Sequence, residues 1–441
     1  MSREQSLHLD EARSQLVGAI RKAWQDLALK RVLVIEDSFG RFSLGCWGDR
    51  RAEPRLEELL TGVAPYAASL FWAPEPGEFD ALGLDRSWEE AEGVDDLQEA
   101  EIDDIRLTVR HRMLPAWQQY RKSPLWPSAS DTGCPIVAFY SFKGGMGRTT
   151  ALAAFAVHRA CRDDRVVVID LDLDAPGLGS MLSTPSPSCY GVVDYLLETP
   201  ILGRRPDDLL DYSWLVDLGK QATTGSVRVF PAGQLDRHYL GKMARLDFDQ
   251  PDDECLRHPL DELLLHVRDE FHPDWILLDS RTGFSETAGM LLSGLAHLHV
   301  LLGVDSDQSW QGLAYAVRKL GAERVRRGLP QSEAMLVHAL VPDLKKEQKD
   351  DLVRRFAEHA EDLFRDEYYI REDPERDDAY WYVDDAVGDA APHRPWPLLY
   401  SQALAQSVSF DDLVHGLESA SDGYRSLCEA LAKRARFGAG E

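Results

Sequence analysis

The sequence predicts an α/β protein, a mostly parallel sheet flanked by helices, preceded by a smaller α+β N-terminal domain. Three observations lead there. From residue 136 onward, short apolar runs alternate with stretches of helical spacing: IVAFYS (136–141), RVVVID (165–170), WILLD (275–279), HLHVLLGV (297–304) and AMLVHALV (334–341). Runs this continuous, rich in β-branched residues and lying between helices, belong to strands buried on both faces, as in a parallel sheet. The first 121 residues have a different texture, with helical stretches around a hairpin. Between the two, KSPLWPSASDTGCP has the Pro, Ser and Gly content of a linker. The expected organisation is an N-terminal domain at 1–121, a linker at 122–134 and a second domain at 135–436.

Residues 10–29 place Ala12, Leu16, Ala19, Ile20, Ala23, Trp24 and Leu27 at helical spacing. RVLVIE (31–36), the turn DSFGR and FSLGCW (42–47) read as a hairpin. Ile102, Ile105, Val109 and Met113, ahead of Pro115, read as a second helix. At the far end, Ser409 and Asp412 open a helix as a capping box, with a stripe at Phe410, Leu413, Val414 and Leu417. Gly423 separates it from a last helix striped by Tyr424, Leu427, Cys428 and Leu431, whose negative end suits Lys433, Arg434 and Arg436. No internal repeat is evident.

At 441 residues the chain is long enough for two or three domains, each with its own core. A net charge of -26 disfavours nucleic acid and anionic lipid, so neither is expected as a partner. The basic run Arg324, Arg326 and Arg327 reads as a solvated helix end. Cys46, Cys134, Cys161, Cys189, Cys255 and Cys428 are scattered without a C-x-x-C pair, which fits a reducing cytosol and excludes a zinc knuckle or a disulfide framework. The polar start MSREQSLHLDEA is no secretory leader, and no run of 18 apolar residues occurs. The expectation is a cytoplasmic protein without a membrane segment.

The chemistry concentrates in SFKGGMGRTT (141–150), which follows a strand and opens the apolar helix TTALAAFAVHRA. The ordinary phosphate loop is G-x-x-x-x-G-K-[ST]. Here Phe142 stands where the first glycine belongs, Arg148 stands where the lysine belongs, and the lysine comes early, as Lys143. Gly144, Gly145 and Gly147 let the backbone curl until successive N–H groups converge, with Met146 between them. The N–H groups of Arg148, Thr149 and Thr150 begin a helix, where unpaired donors bind phosphate oxygens. Thr149 is placed to ligate Mg²⁺ and Arg148 to neutralise β- and γ-phosphates. Two further strand ends join them. VVVIDLDLDAPGL (166–178) brings Asp170 and Asp172, and DWILLDSRTG (274–283) brings Asp279, Ser280 and Gly283. Carboxylates there hold magnesium waters and position an attacking water.

K-G-G-x-G-[KR]-T, then D-x-D, then a strand ending D-S-x-x-G resembles the deviant Walker A ATPases, the ParA/MinD group of the SIMIBI class. Within it the chain is most similar to the bacterial branch reading K-G-G-x-G-R-T with D-x-D-x-x-A-P-G-L. The likeness spans roughly 135–436 and implies a P-loop ATPase domain that binds ATP and Mg²⁺, hydrolyses slowly and dimerises around two nucleotides. It implies that Lys143 crosses to the partner's nucleotide, Arg148 contacts phosphate in its own subunit and Thr149 ligates magnesium. Asp172 would position water, Asp279 would hold magnesium through water, and Asp170 would support the metal shell. It also implies a protein partner, which the N-terminal domain would dock. Three features depart from the group. Arg148 replaces a lysine, Arg281 occupies a position often held by proline, and VHALVPD carries no asparagine for the adenine. Arg281 is expected either to contact phosphate on closure or to pair with a nearby acid, the second being favoured.

Other readings remain beside this one. A bacterial tyrosine kinase shares the loop but expects a tyrosine-rich tail and an anchor, neither of which LAKRARFGAGE supplies. A non-hydrolysing scaffold of a phage-defence system would keep the loop as a sensor. Glu36, Asp37, Glu75, Glu78 and Asp80 hint at a metal-dependent nuclease, but no lysine follows at a useful spacing. The aromatic and acidic stretch 367–385 reads as an exposed interaction loop or, nearly as well, a structural hairpin.

Overall fold

The computed structural model describes residues 7–37, 40–73, 84–93, 104–109, 115–118, 134–182, 190–219, 224–248, 258–327, 334–369, 391–401, 404, 414 and 423–437. The chain divides into two compact units, Met1–Met113 and Leu114–Glu441.

In the first unit, β1 (Leu29–Glu36), β2 (Phe42–Gly48), β3 (Ala67–Trp72), β4 (Glu92–Gly93) and β5 (Ile105–Val109) form one sheet in the order β3-β2-β1-β5-β4. β1 and β2 are the hairpin the sequence predicts, antiparallel with Val34 opposite Leu44. The helices α1 (Leu9–Leu27) and α2 (Glu53–Thr61) join the core built on Val32, Val34 and Leu44, and α1 buries Ala12, Leu16, Ile20, Ala23 and Leu27. Leu33 and Ile35 instead meet Trp88 of α3 (Leu84–Glu90), whose ring has the guanidinium groups of Arg31 and Arg106 at 5.1 and 4.7 Å from its centroid. The helix expected around Ile105 and Val109 is not there. That segment is β5, parallel to β1 with Leu107 opposite Val34. Residues four apart share a face under a helical and a two-residue period alike, so their spacing could not separate the two. Glu36 is buried against Arg13, and Asp37 pairs with Arg41, so both acids are committed to arginines. Glu75, Glu78 and Asp80 lie outside the described residues.

The second unit holds β6 (Ile136–Ser141), β7 (Arg165–Leu171), β8 (Trp214–Leu215), β9 (Ser226–Phe230), β10 (Trp275–Ser280), β11 (Leu298–Gly303), β12 (Ala334–Val341) and β13 (Trp396–Leu399). Their order is β13-β12-β11-β6-β10-β7-β9-β8, and every adjacent pair is parallel except β8 with β9. The five strands read from apolar runs all form. β8, β9 and β13 were not anticipated, being short or interrupted by proline.

Both faces of this sheet are covered. Val137 and Phe139 pack against α5 (Arg148–Ala160) and α12 (Gly423–Phe437), while Ile136 and Ala138 meet α7 (Val192–Leu202) and α8 (Pro259–Phe271). Tyr140 joins α10 (Asp307–Arg327) and α11 (Lys346–Glu367). Every residue of α5 from Thr150 to Ala160 is buried, so the helix is held rigidly. The predicted stripe Tyr424, Leu427, Cys428 and Leu431 is the buried face of α12. The preceding stripe, apart from Val414, and residues 370–385 lie outside the described residues, as do the side chains of Arg324, Arg326 and Arg327.

The short helix α4 (Pro115–Gln118) was counted with the N-terminal domain, but the break falls before it. Its Trp117 Nε1 donates to the Ser285 carbonyl, 168 residues along the chain, at 2.7 Å. No described helix is long and apolar enough to cross a membrane.

His158 on α5 and His338 on β12 are buried, with both ring nitrogens of the first and Nδ1 of the second lacking a hydrogen-bond partner. Burial pushes each down to about 4; Arg162, Arg159 and Arg425 add to the effect on His158. The unfolded chain therefore binds protons at these positions between about pH 6.5 and 4 while the folded chain does not, so they make stability fall as pH falls through that window. Denaturant unfolding at pH 7 and pH 5 checks this. His158→Leu should show a smaller loss between the two than wild type, and an equal loss would count against it.

Candidate functional site

At the carboxyl edge of the sheet, β6, β10 and β7 end side by side. In register, Asp279 of β10 lies opposite Phe139 of β6 and Asp170 of β7. This places the ends of the three motifs around one crevice, where open parallel sheets bind ligands.

The loop after β6 turns through two left-handed residues, Gly145 (φ 77°) and Gly147 (φ 76°). A side chain at either would be strained, which is why glycine stands at both. Space at Gly144 and Gly145 is open, with no atom within 4 Å of where a Cβ would sit. Met146 is buried in the core beneath the loop. The Tyr424 hydroxyl lies 3.6 Å from where a Gly147 Cβ would be, and burial pushes that phenol up to about 12. Phe142 has a packing role: a Cβ on Gly312 of α10 would fall 1.9 Å from its ring, and Phe284 meets its other side at 5.1 Å between centroids. The missing first glycine is therefore an aromatic anchor for the base of the loop. Lys143 is half-buried at the front and makes no ion pair among the described residues.

Arg148 departs most from expectation. Its Nε donates to Asp279 Oδ1 at 2.7 Å and its Nη2 to Asp172 Oδ2 at 2.8 Å. Thr149 Oγ1 donates to the other oxygen of Asp279, also at 2.7 Å. Arg148, Asp172 and Asp279 are only 6%, 8% and 1% exposed, so each charge depends on its partner. Arg148 was expected to aim at phosphates; two of its donor groups instead bridge acids from two strands. Nη1 is left, buried and without a hydrogen-bond partner among the described residues. Burial acts to lower the Arg148 pKa, but the pull of Asp279 and Asp172 raises it overall. Burial raises that of Asp279, against the opposing effect of Arg148 and Thr149.

Asp170 faces elsewhere. Its oxygens accept the backbone N–H groups of Asp172, Gly177 and Leu178 at 3.1, 3.3 and 3.2 Å, which organises the turn into α6 (Leu178–Leu182). Burial, with Asp279 and Asp172 nearby, raises its pKa well above the usual carboxylate range. Where support of a metal shell was expected, both oxygens of Asp170 carry a structural task. Asp172 Oδ1 accepts from Ala175 N–H at 3.3 Å. Tyr239, which the sequence did not single out, donates to the Leu173 carbonyl at 2.6 Å and steadies the same turn. Arg281 pairs with Asp174, as expected. Thr150 is buried in the first turn of α5.

The residues fit a phosphate and a magnesium ion. An open glycine-lined face, a helix N-terminus and an orphaned guanidinium N–H converge beside Thr149 and Asp279. Among the described residues no group of three or more His, Cys, Asp or Glu is arranged to hold a metal. A phosphate-bound magnesium needs none, because waters and phosphate oxygens fill most of its octahedron.

No protein-family model matches the chain, and no curated protein does. Among solved structures it is similar to a ParA family ATPase from Chlorobium tepidum, with 16% identity over 69% of this chain and 99% of that one and a TM-score of 0.41. It is also similar to the cell-division ATPase MinD of Pyrococcus furiosus, at 18% over 68% and 98%, TM-score 0.41. A third, pNOB8 ParA bound to nonspecific DNA, is 13% identical over 69% and 99%, TM-score 0.41.

Arg148→Ala would leave Asp172 and Asp279 buried without their cation. Denaturant unfolding should show a loss of about 3–5 kcal/mol, the range for breaking a buried pair on one side. Adding Asp279→Asn should recover part of it, since one uncompensated charge is then gone. Wild-type stability in Arg148→Ala would mean the bridge does not form.

Proposed function

We propose that the chain is an ATP-binding P-loop ATPase that hydrolyses slowly and serves as a nucleotide-dependent dimerisation switch for a protein partner docked by the N-terminal unit. One observation carries the reading: the buried Arg148 joins Asp172 to Asp279 beside Thr149, at the foot of an open glycine loop, with Nη1 left over. A guanidinium N–H buried without a partner is costly unless an acceptor completes it, and a phosphate oxygen is one that fits its charge.

The chain's own residues then divide the work. Loop N–H groups and Arg148 Nη1 hold phosphate oxygens, and the α5 terminus adds its positive end. Magnesium, when bound, neutralises charge on the phosphates, and Thr149 and Asp279 would hold it. Asp172 orients the attacking water once Arg148 is shared with phosphate. Lys143, unpaired at the loop's front, is placed to serve a second subunit. A second reading, nucleotide sensing with little hydrolysis, is favoured by Asp172, because Arg148 and the Ala175 N–H engage both its oxygens. Single-turnover hydrolysis separates the two readings.

Binding of a labelled ATP analogue should weaken at least ~10-fold in Thr149→Ala when magnesium is present. Equal affinity with and without magnesium in both proteins would sink the site. GTP should compete poorly.

Light scattering should show a dimer with ATP and a monomer with ADP, with Asp172→Ala trapped as the dimer. Mixing inactive Lys143→Ala and Asp172→Ala chains should restore one working site per heterodimer, because an intact Asp172 then meets an incoming Lys143. Heterodimers that form and stay inactive would place Lys143 in its own subunit's site.

A further inference from the structure

α4 is four residues long, yet it is tied closely to the segment that follows Asp279. Trp117 Nε1 donates to the Ser285 carbonyl at 2.7 Å, and the Ala116 N–H donates to Glu286 Oε2 at 3.3 Å. In return, Lys319 Nζ donates to the Trp117 carbonyl at 3.1 Å, and Ser293 Oγ, whose shorter bond is to the Gly289 carbonyl at 2.7 Å, lies 3.1 Å from the Ala116 carbonyl. Lys319 is only 4% exposed. The helix α9 (Glu286–Met290) presents Gly289 beneath the segment. A Cβ there would lie 2.8 Å from the Ala116 carbonyl carbon and from the Trp117 ring, so glycine is what allows the close approach.

The seat reaches the loop through aromatic contacts. The Trp117 ring meets Phe284 at 5.1 Å, and Phe284 meets Phe142 at 5.1 Å. Tyr140 donates to the Gly283 carbonyl at 3.3 Å and lies 6.3 Å from Trp117. The residues between Asp279 and Glu286 are therefore held at one end by the Arg148 bridge and at the other by Trp117.

We propose that Ala116 and Trp117 are positioning residues for the nucleotide site. Seated on Gly289, they hold the turn 280–286 and, through it, Asp279 and Phe142 in the arrangement that accepts nucleotide. They stand at the start of the second unit, and displacing them from this seat changes nucleotide affinity. Linkage makes the effect reciprocal: nucleotide tightens the seat by the same factor. The inference rests on the reading of the loop as a nucleotide site.

The test uses the full chain and a labelled ATP analogue with magnesium. Gly289→Ala keeps a good helix former in α9 while forcing the segment off its seat. Trp117→Ala removes the contact with Phe284, and Trp117→Phe keeps a ring there but loses the bond to Ser285. Gly289→Ala and Trp117→Ala should each weaken binding at least ~5-fold, the low end of ordinary coupling between sites. Trp117→Phe should recover most of it. Hydrogen exchange at the Ala116 and Trp117 amides should slow when wild type binds nucleotide. A residue that merely fills the core would lower the melting temperature and leave affinity measured well below it unchanged. Wild-type affinity in Gly289→Ala overturns the inference even if Trp117→Ala fails to fold. If wild type still binds and Thr149→Ala does not, the nucleotide reading survives that result. Wild type that binds no nucleotide overturns both.

Discussion

Two carboxylates that end neighbouring strand segments of one sheet cannot both be buried as charges unless a cation lies between them. Arg148 is that cation, and much of the second unit is arranged around the fact. Its backbone begins α5, its Nε holds β10 through Asp279 and its Nη2 holds the end of β7 through Asp172. A lysine in its place could offer only a compact ammonium, whereas a planar fork reaches two acids at fixed angles and keeps a further donor for an anion. The substitution that makes the loop unusual is therefore also what ties three motifs into one body.

The same logic explains Phe142. A phosphate loop usually starts with a glycine because the backbone must turn sharply. In this chain the turn is carried by Gly145 and Gly147, which frees the first position for a ring that packs on Gly312 and Phe284. The loop is anchored from behind by Met146 and Tyr424 and from the side by Phe142, while Gly144 and Gly145 face open space. A rigid back and an open face are what a preformed anion site requires.

Asp170, Asp172 and Asp279 look alike in sequence, each an acid at or just beyond the end of a buried strand, yet their surroundings separate them. Asp170 is spent on backbone N–H groups, Asp279 on Thr149 and Arg148, and Asp172 on Arg148 and one backbone group. Asp172 is 8% exposed, against 1% for each of the other two. Burial and hydrogen-bond partners, not residue type, set the task of each acid.

By itself the sequence determined the parallel sheet, because strands buried on both faces must be continuously apolar, and RVVVID or AMLVHALV can be little else. It determined the loop as well, since glycines at the head of an apolar helix leave a local signature that needs no tertiary contact. It could not separate β5 from a helix, because Ile105 and Val109 share a face under either period. Nor could it show β13, where Trp396 and Pro397 gain their pairing only from β12. The partners of Arg148, 24 and 131 residues away, and the seat of Trp117 on Gly289 were decided by the tertiary structure alone. Local pattern records which face of an element is buried; it does not record what that face meets, because the meeting is set by how the sheet orders its strands.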